Sequence, residues 1–435
     1  MAPRAVPVRP SALAGAPRSG HPDWALLNKA GRISDDRNET TAECRTAEGQ
    51  AVEVSFCLAD PPAVSHFSVH CPGLEGDDYS DTQPLLICAE GPFVLFCVTL
   101  NVPERGSVHH FVYSARGPSS KRPSLHLLPE PDAQIQAFQA QQFGILPCGG
   151  GHFAVAFLDR VRPINCWRYH AYVFSSTTRA WSRTKPTMPP DLSQSDQVLL
   201  DRHRSCKQIT VGASSLGWVD LLGGVLLLCN LFDKHPAIEY IPFPASRVPL
   251  ADEDGVADIA AEHLYDVSCC GDLIKFVQID FDKPDYGSSG VAWKATTWNR
   301  KLSWCAWRDG HTVDVAEISV DTNRYSALLP ELLNDETKQL ELKNLIFINP
   351  TLSIQDDHLL YIRAKVKAQD DTSWVLALDM KHASLNALAP VSTQPFCGVS
   401  VTPCTLHAPS PSTTSTTCQQ RQTWPNQWSG MYTSQ

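Results

Sequence analysis

Short segments in which apolar and polar residues alternate, each closed by turn-forming residues, recur along nearly the whole chain. That recurrence limits the fold more than any other feature, because a period of two is the mark of a strand. "TAECRTAEGQAVEVSF" (41–56) reads as a hairpin turning at Glu48-Gly49. "PFVLFCVTL" (92–100) is followed by "VHHFVYSA" (108–115) and "SLHLLP" (124–129), and "HFAVAFLD" (152–159) by "YHAYVFSSTTRAWSRT" (169–184). "DLIKFVQID" (272–280) leads into "VAWKATTWNRKLSWCAW" (291–307), and "DHLLYIRAKV" (357–366) into "SWVLALDMKHASLNAL" (373–388).

The segment 216–246, "LGWVDLLGGVLLLCNLFDKHPAIEYIPFPAS", carries no charge between Asp220 and Asp233. As a helix its twelve uncharged residues would span about 18 Å against a hydrocarbon core of about 30 Å, so it does not cross a bilayer. Gly223 and Gly224 would each cost a helix about 1 kcal/mol relative to alanine. They suit a turn between strands at Trp218–Leu222 and Val225–Leu231. "DKHP" then turns the chain into "AIEYI", and Pro242 and Pro244 end the pairing.

Several hairpins share one grammar, a small polar residue before the turn and a bulky one opening the return strand. Ser175 precedes Trp181, Asp233 precedes Ile238, Asn299 precedes Trp304, and Asp379 precedes Leu385. Small polar residues bond their own backbone in turns, while a bulky residue pins the return strand to the next sheet. About six units of about 60 residues fill 22–395. Successive all-β meanders are what a β-propeller stacks into blades. A pair of β-sandwiches is the alternative with similar strand statistics. Little helix is expected, the best candidate being "LPELLNDETKQLELKNL" (329–345). Segments 185–214 and 246–262 read as long connections.

With 435 residues and 43% hydrophobic content, the chain can build a sizeable core. Its net charge of −10 lacks the basic footprint of a nucleic-acid binder. Arg202-His203-Arg204 with Lys207, and Lys121-Arg122, are short basic clusters that read as solvated loops. The 15 cysteines, many inside apolar runs such as Cys57 and Cys97, are too sparse for a disulfide scaffold. They suit the cytosol or nucleus. Residues 1–21 carry Arg4, Arg9 and Arg18 and no acid, but Pro3, Pro7, Pro10 and Pro17 break any amphipathic helix. A disordered leader is expected there, with organelle targeting as the alternative. Residues 396–435 are Ser/Thr-rich without periodicity and read as a disordered tail.

"HPDWALLNKAGRISDDRNETT", "VSFCLADPPAVSHFSVHCPG", "GWVDLLGGVLLLCNLFDKHPAIEYIPFP" and "ATTWNRKLSWCAWRDG" together resemble an uncharacterised plant family expanded in grasses, domain-of-unknown-function family 1618. The family-defining segment lies at about 217–346 and the resemblance extends over about 22–395. It implies no activity, cofactor or catalytic residue, since the family has none established. Its hairpin grammar is similar to that of the propeller-like domains that follow F-boxes in plant adaptors. The tail after Phe396 departs from the family pattern, which bears on how the last strand closes the fold.

Candidate chemistry is sparse. His66, Ser68 and His70 share a strand face beside Cys71, but histidines four apart on a strand are about 13 Å apart, too far for one metal ion. "CGGGHF" (148–153) lacks the lysine and Ser/Thr of a phosphate loop and reads as a tight turn. Asp280, Asp282 and Asp285 lack the fixed offsets of an EF-hand. "GASSLG" (212–217) is not a nucleophile elbow. Vicinal Cys269-Cys270 has no neighbour that would lower a thiol pKa. Trp293, Trp298, Trp304 and Trp307 fall on both faces of their strands, which suits packing between blades.

No catalytic, cofactor-binding or metal residue is therefore assigned, and the binding residues are unknown. The expectation is a soluble, non-enzymatic module that binds a protein partner, without membrane, nucleic acid or cofactor. The alternatives are an enzyme with a pocket on the propeller axis and a nuclear regulator touching nucleic acid.

Overall fold

The computed structural model describes residues 24–80, 83–102, 106–116, 122–131, 142–161, 168–189, 192–244, 261–281, 292–367, 370, 372–392 and 401–404. Six sheets, antiparallel but for two short parallel pairings in the first, stand around one axis as the blades of a β-propeller. Blade 2 runs outward from the axis through Leu85–Glu90, Phe93–Leu100, Ser107–Ser114 and Ser124–Leu127. Blade 3 follows with Gly144–Gly149, His152–Val161, Arg168–Ser175 and Ala180–Thr184. Blade 4 comprises Lys207–Val211, Ser215–Asp220, Gly224–Cys229 and Ala237–Pro242, the meander expected there. Blade 5 comprises Tyr265–Cys270, Leu273–Phe281, Trp293–Lys301 and Arg308–Asp314. Blade 6 comprises Ile346–Leu352, Leu359–Lys365, Thr372–Asp379 and Ser384–Ser392.

Blade 1 closes the ring. Its order from the axis is Val401–Cys404, Ala25–Asn28, Val64–His70, Ala51–Cys57 and Ala42–Arg45, with Arg32–Ile33 also paired to Val64–His70. Ala25–Asn28 pairs antiparallel with Val401–Cys404 and parallel with Val64–His70. The two ends of the described chain are thus hydrogen-bonded side by side. Val401–Cys404, beyond the change in composition at 396, forms the innermost strand of this blade.

The alternation seen in the sequence has a direct structural meaning. Successive residues of a blade face opposite neighbours, so one strand feeds two cores. In Phe93–Leu100, Phe93, Leu95 and Cys97 pack between blades 2 and 3, while Val94, Phe96 and Val98 pack between blades 1 and 2. In Gly224–Cys229, Leu226 and Leu228 face blade 3, and Val225 and Leu227 face blade 5. Both faces are buried, which is why that run has no charge. Gly224 is required there, since a Cβ would collide with the main chain at Ile241. Trp293 packs between blades 5 and 6 and Trp298 between blades 4 and 5, in line with the packing role expected of them.

Tryptophans also stitch blades by hydrogen bonds. The Trp181 indole donates to the Pro129 carbonyl at 2.8 Å, Trp218 to Gln142 at 2.6 Å, and Trp307 to Pro242 at 2.8 Å. Each bond reaches back towards the preceding blade. Trp304 departs from the expected grammar. It sits in the turn before Arg308–Asp314, where Arg308 stacks 3.8 Å from its ring.

The expected helix at 329–345 is replaced by separate 3-10 turns at Pro330–Leu332 and Leu342–Asn344. Leu329, Leu332, Leu340, Leu342 and Leu345 are buried against blades 5 and 6, so tertiary packing outweighs the helix propensity of the stretch. The longer helix, Gln194–Arg202, lies inside the segment read as connection, capped by Ser193, whose hydroxyl accepts from the Asp196 N–H. A second, short helix spans Thr322–Tyr325. No helix among the described residues is long and apolar enough to cross a membrane. Residues 1–21, 246–260 and 405–435, to which a leader, most of a connection and most of a tail were assigned, lie outside the described residues.

Antiparallel pairing fixes the two faces of the propeller. Turns from first to second and from third to fourth strands share one face, here the short-turn face. Links from second to third strands, and from each blade to the next, share the other.

Candidate functional site: the axis and the cleft between blades 2 and 3

The innermost strands bring charged groups to the axis. Lys207 opens the inner strand of blade 4, and its ammonium lies 2.6 Å from Asp266 Oδ1 in blade 5. Asp266 Oδ2 accepts from the Leu352 N–H of blade 6 at 2.8 Å, so one buried carboxylate ties three blades. Lys29 sits nearby. Burial, and then the charge of Lys207, hold its pKa below the usual lysine value, against the pull of Cys206, Glu262 and Asp266.

Towards the short-turn face, burial raises the pKa of Glu90 to about 7, partly offset by hydrogen bonds from Thr210 and the Gly91 backbone. A carboxyl whose folded pKa exceeds its unfolded value binds more protons when folded. Its contribution is complete below pH 4.5 and is lost as pH rises through 7. In urea unfolding, Glu90→Gln should match the wild type near pH 4.5 and exceed it by about 2 kcal/mol at pH 8. A variant that keeps the wild-type pH slope would contradict this assignment.

Thiols at the axis are the reverse of activated nucleophiles. Burial raises Cys88 and Cys269 to about 12. Eleven of the cysteines among the described residues are free. No group of three His, Cys, Asp or Glu side chains able to hold a metal ion occurs among the described residues.

A cleft of about 460 Å³ lies between the outer strand of blade 2 and the turns of blade 3. Its floor is apolar, with Val112, Leu125, Leu128, Phe153 and Phe174. Its rim carries His126, His152, Ser176 and Arg179. Three successive glycines with positive φ at 149–151 make the turn that sets His152 on the rim. Ser176 Oγ accepts from the Phe153 N–H at 2.9 Å and lies 3.4 Å from His152 Nδ1. His126 packs 5.8 Å from the Phe153 ring, and burial followed by the charge of Arg179 lowers its pKa, which keeps it neutral at pH 7. The turn 176–179 closes through the Arg179 N–H to the Ser175 carbonyl at 2.7 Å, with Arg179 at φ 55°.

With this geometry in place, residues 218–361 match the family described as protein of unknown function (DUF1618). The chain carries a DUF1618 segment. No curated protein matches the chain. The DUF1618 segment starts at Trp218, within the second strand of blade 4, and ends at Tyr361, within the second strand of blade 6. It contains Asp266 and Leu352 but not Lys207, and it leaves out the cleft.

The sequence-derived candidates are dispersed across this frame. Phe67, Val69 and Cys71 enter the core between blades 1 and 2, Ser68 is buried, and His66 and His70 stay half-exposed on Val64–His70. "CGGGHF" is the expected turn, yet its His152 and Phe153 line the cleft. "GASSLG" is the first hairpin of blade 4. Cys269 is half-buried and Cys270 exposed. Asp280, the last but one residue of Leu273–Phe281, accepts from the Gln278 side-chain amide, while Asp282 and Asp285 lie outside the described residues.

The basic run at 202–207 is a solvated loop only in part, with Arg202 and Arg204 exposed. His203 is buried with its pKa lowered to about 4 by desolvation, the Arg204 N–H binds Asp220, and Lys207 turns to the axis. Arg122 is exposed and Lys121 lies outside the described residues. The cleft residues were missed because no single stretch carries them. Their one local signal was "SSTTRAW", where the turn puts arginine at a position suited to glycine.

Proposed function

We propose that the protein is a non-enzymatic interaction module of the cytosol or nucleus whose short-turn face docks a protein partner at the cleft between blades 2 and 3. The observation that carries this reading is the cleft itself. An apolar floor with a few convergent polar groups is the usual form of a recognition site, and about 460 Å³ lies within the range such pockets take. A rigid scaffold presenting its turns on one face supports recognition as well. That support comes from the fold class and ranks below the cleft.

The axial charges serve cohesion in this reading. Lys207, Asp266 and Leu352 satisfy one another. The free, high-pKa thiols support a reducing compartment. The test is capture of partners by the tagged full-length chain from plant tissue, with the cleft intact and with its rim charge reversed. Partners that ignore the rim charge would overturn the assignment of the docking site.

A further inference from the structure

We propose that the cleft receives an acidic amphipathic segment of the partner, with a large apolar side chain on the floor and a neighbouring Asp or Glu carboxylate on Arg179. The inference rests on the interaction-module reading above and names the chemistry of its ligand.

Three observations carry it. The Arg179 guanidinium makes no hydrogen bond or ion pair among the described residues, although it stands close enough to His126 to act on it electrostatically. Its backbone is left-handed at φ 55°, a conformation glycine adopts freely and arginine does not. Gly91, Gly149, Gly212 and Gly271 take positive φ in the hairpins that follow the inner strands, while Ala383, at φ 46°, holds in the third-to-fourth turn of blade 6 the place that Arg179 holds in blade 3. In blade 3 that position carries a long charged side chain on the rim of the cleft.

Charge is the third observation. The chain has a net charge of −10, yet Arg179 is the one Asp, Glu, Lys or Arg side chain among the described residues lining the cleft, and its turn, 176–179, contains no acid. A locally basic rim on an acidic protein selects and steers a carboxylate-bearing partner. Among the described residues the outer strand of blade 2, Ser124–Leu127, pairs only with Ser107–Ser114, which suits an extended peptide lying along the cleft.

The test pans a displayed library of random dodecapeptides on the immobilised full-length protein and measures enriched peptides by fluorescence anisotropy. Enriched sequences should carry a large apolar residue within two positions of an Asp or Glu. Their affinity should fall at least tenfold on Arg179→Gly and further on Arg179→Glu. Arg179→Gly should melt no lower than the wild type, because glycine relieves the left-handed backbone, so loss of binding cannot be loss of fold. Enriched peptides without an acid, binding indifferent to Arg179→Gly, or no enrichment at all would each overturn the proposal. The wider reading fails separately, if the intact protein captures no partner.

Discussion

Replacing Asp266 with alanine is expected to lower the unfolding free energy by about 3–5 kcal/mol, the usual cost of leaving half of a buried ion pair behind. The reason lies in what the carboxylate holds. Lys207 would lose its partner at 2.6 Å, and the Leu352 N–H would lose its acceptor at 2.8 Å. Lys29 and Lys207, two amines already coupled, would face each other without a counter-charge. Lys207→Met combined with Asp266→Leu should recover part of the loss, since a well-packed apolar pair can replace an ion pair at little cost. The orphaned Leu352 N–H keeps the recovery incomplete. Equilibrium urea unfolding decides the matter, and a loss under about 1 kcal/mol for Asp266→Ala would show that the axis does not depend on this carboxylate.

A chain ending at residue 400 should lose about 4 kcal/mol or more and melt roughly 5 °C lower than one ending at residue 406. The shorter chain lacks Val401–Cys404, which covers the axial edge of Ala25–Asn28. The seam it supports, between blades 6 and 1, has the smallest apolar core among the described residues, with Leu26, Tyr361, Val375, Ala377 and Val391. Arg363 is buried beside that seam and donates to Ser373 Oγ at 2.9 Å, so opening it exposes polar as well as apolar surface. Thermal melts of the two chains test this. Equal melting temperatures would mean that ring closure does not run through this strand.

What the sequence made legible follows from strand physics. In the middle strands of each blade both faces are buried, as in 93–100 and 224–229, so alternation of side chains and small turn residues marks them plainly. The inner strands were less visible. Tyr265–Cys270 and Lys207–Val211 mix charged, polar and apolar residues because one edge meets the axis, and the pattern there is set by partners in other blades. Lys207 illustrates the difficulty, since local sequence groups it with Arg202 and Arg204 while its partner Asp266 is 59 residues away. The Gln194–Arg202 helix carries a serine cap but buries only Leu200, a weak amphipathic signal. The candidate site was the least legible part. Its floor comes from four strands of two blades, and its rim charge depends on the backbone conformation of one arginine in a four-residue turn.

Partner capture compared across two variants bears most directly on the proposed role. Tagged wild-type chain, Arg179→Glu on the short-turn face, and Leu222→Glu on the opposite face would be purified in parallel from one extract, and co-eluting proteins quantified by mass spectrometry. Leu222 is exposed in the turn between the second and third strands of blade 4, so its variant controls for added surface charge. A partner recovered equally with wild type and Leu222→Glu, and at least tenfold less with Arg179→Glu, is the predicted result. Recovery unchanged by Arg179→Glu, or nothing above background with the wild type, would contradict it.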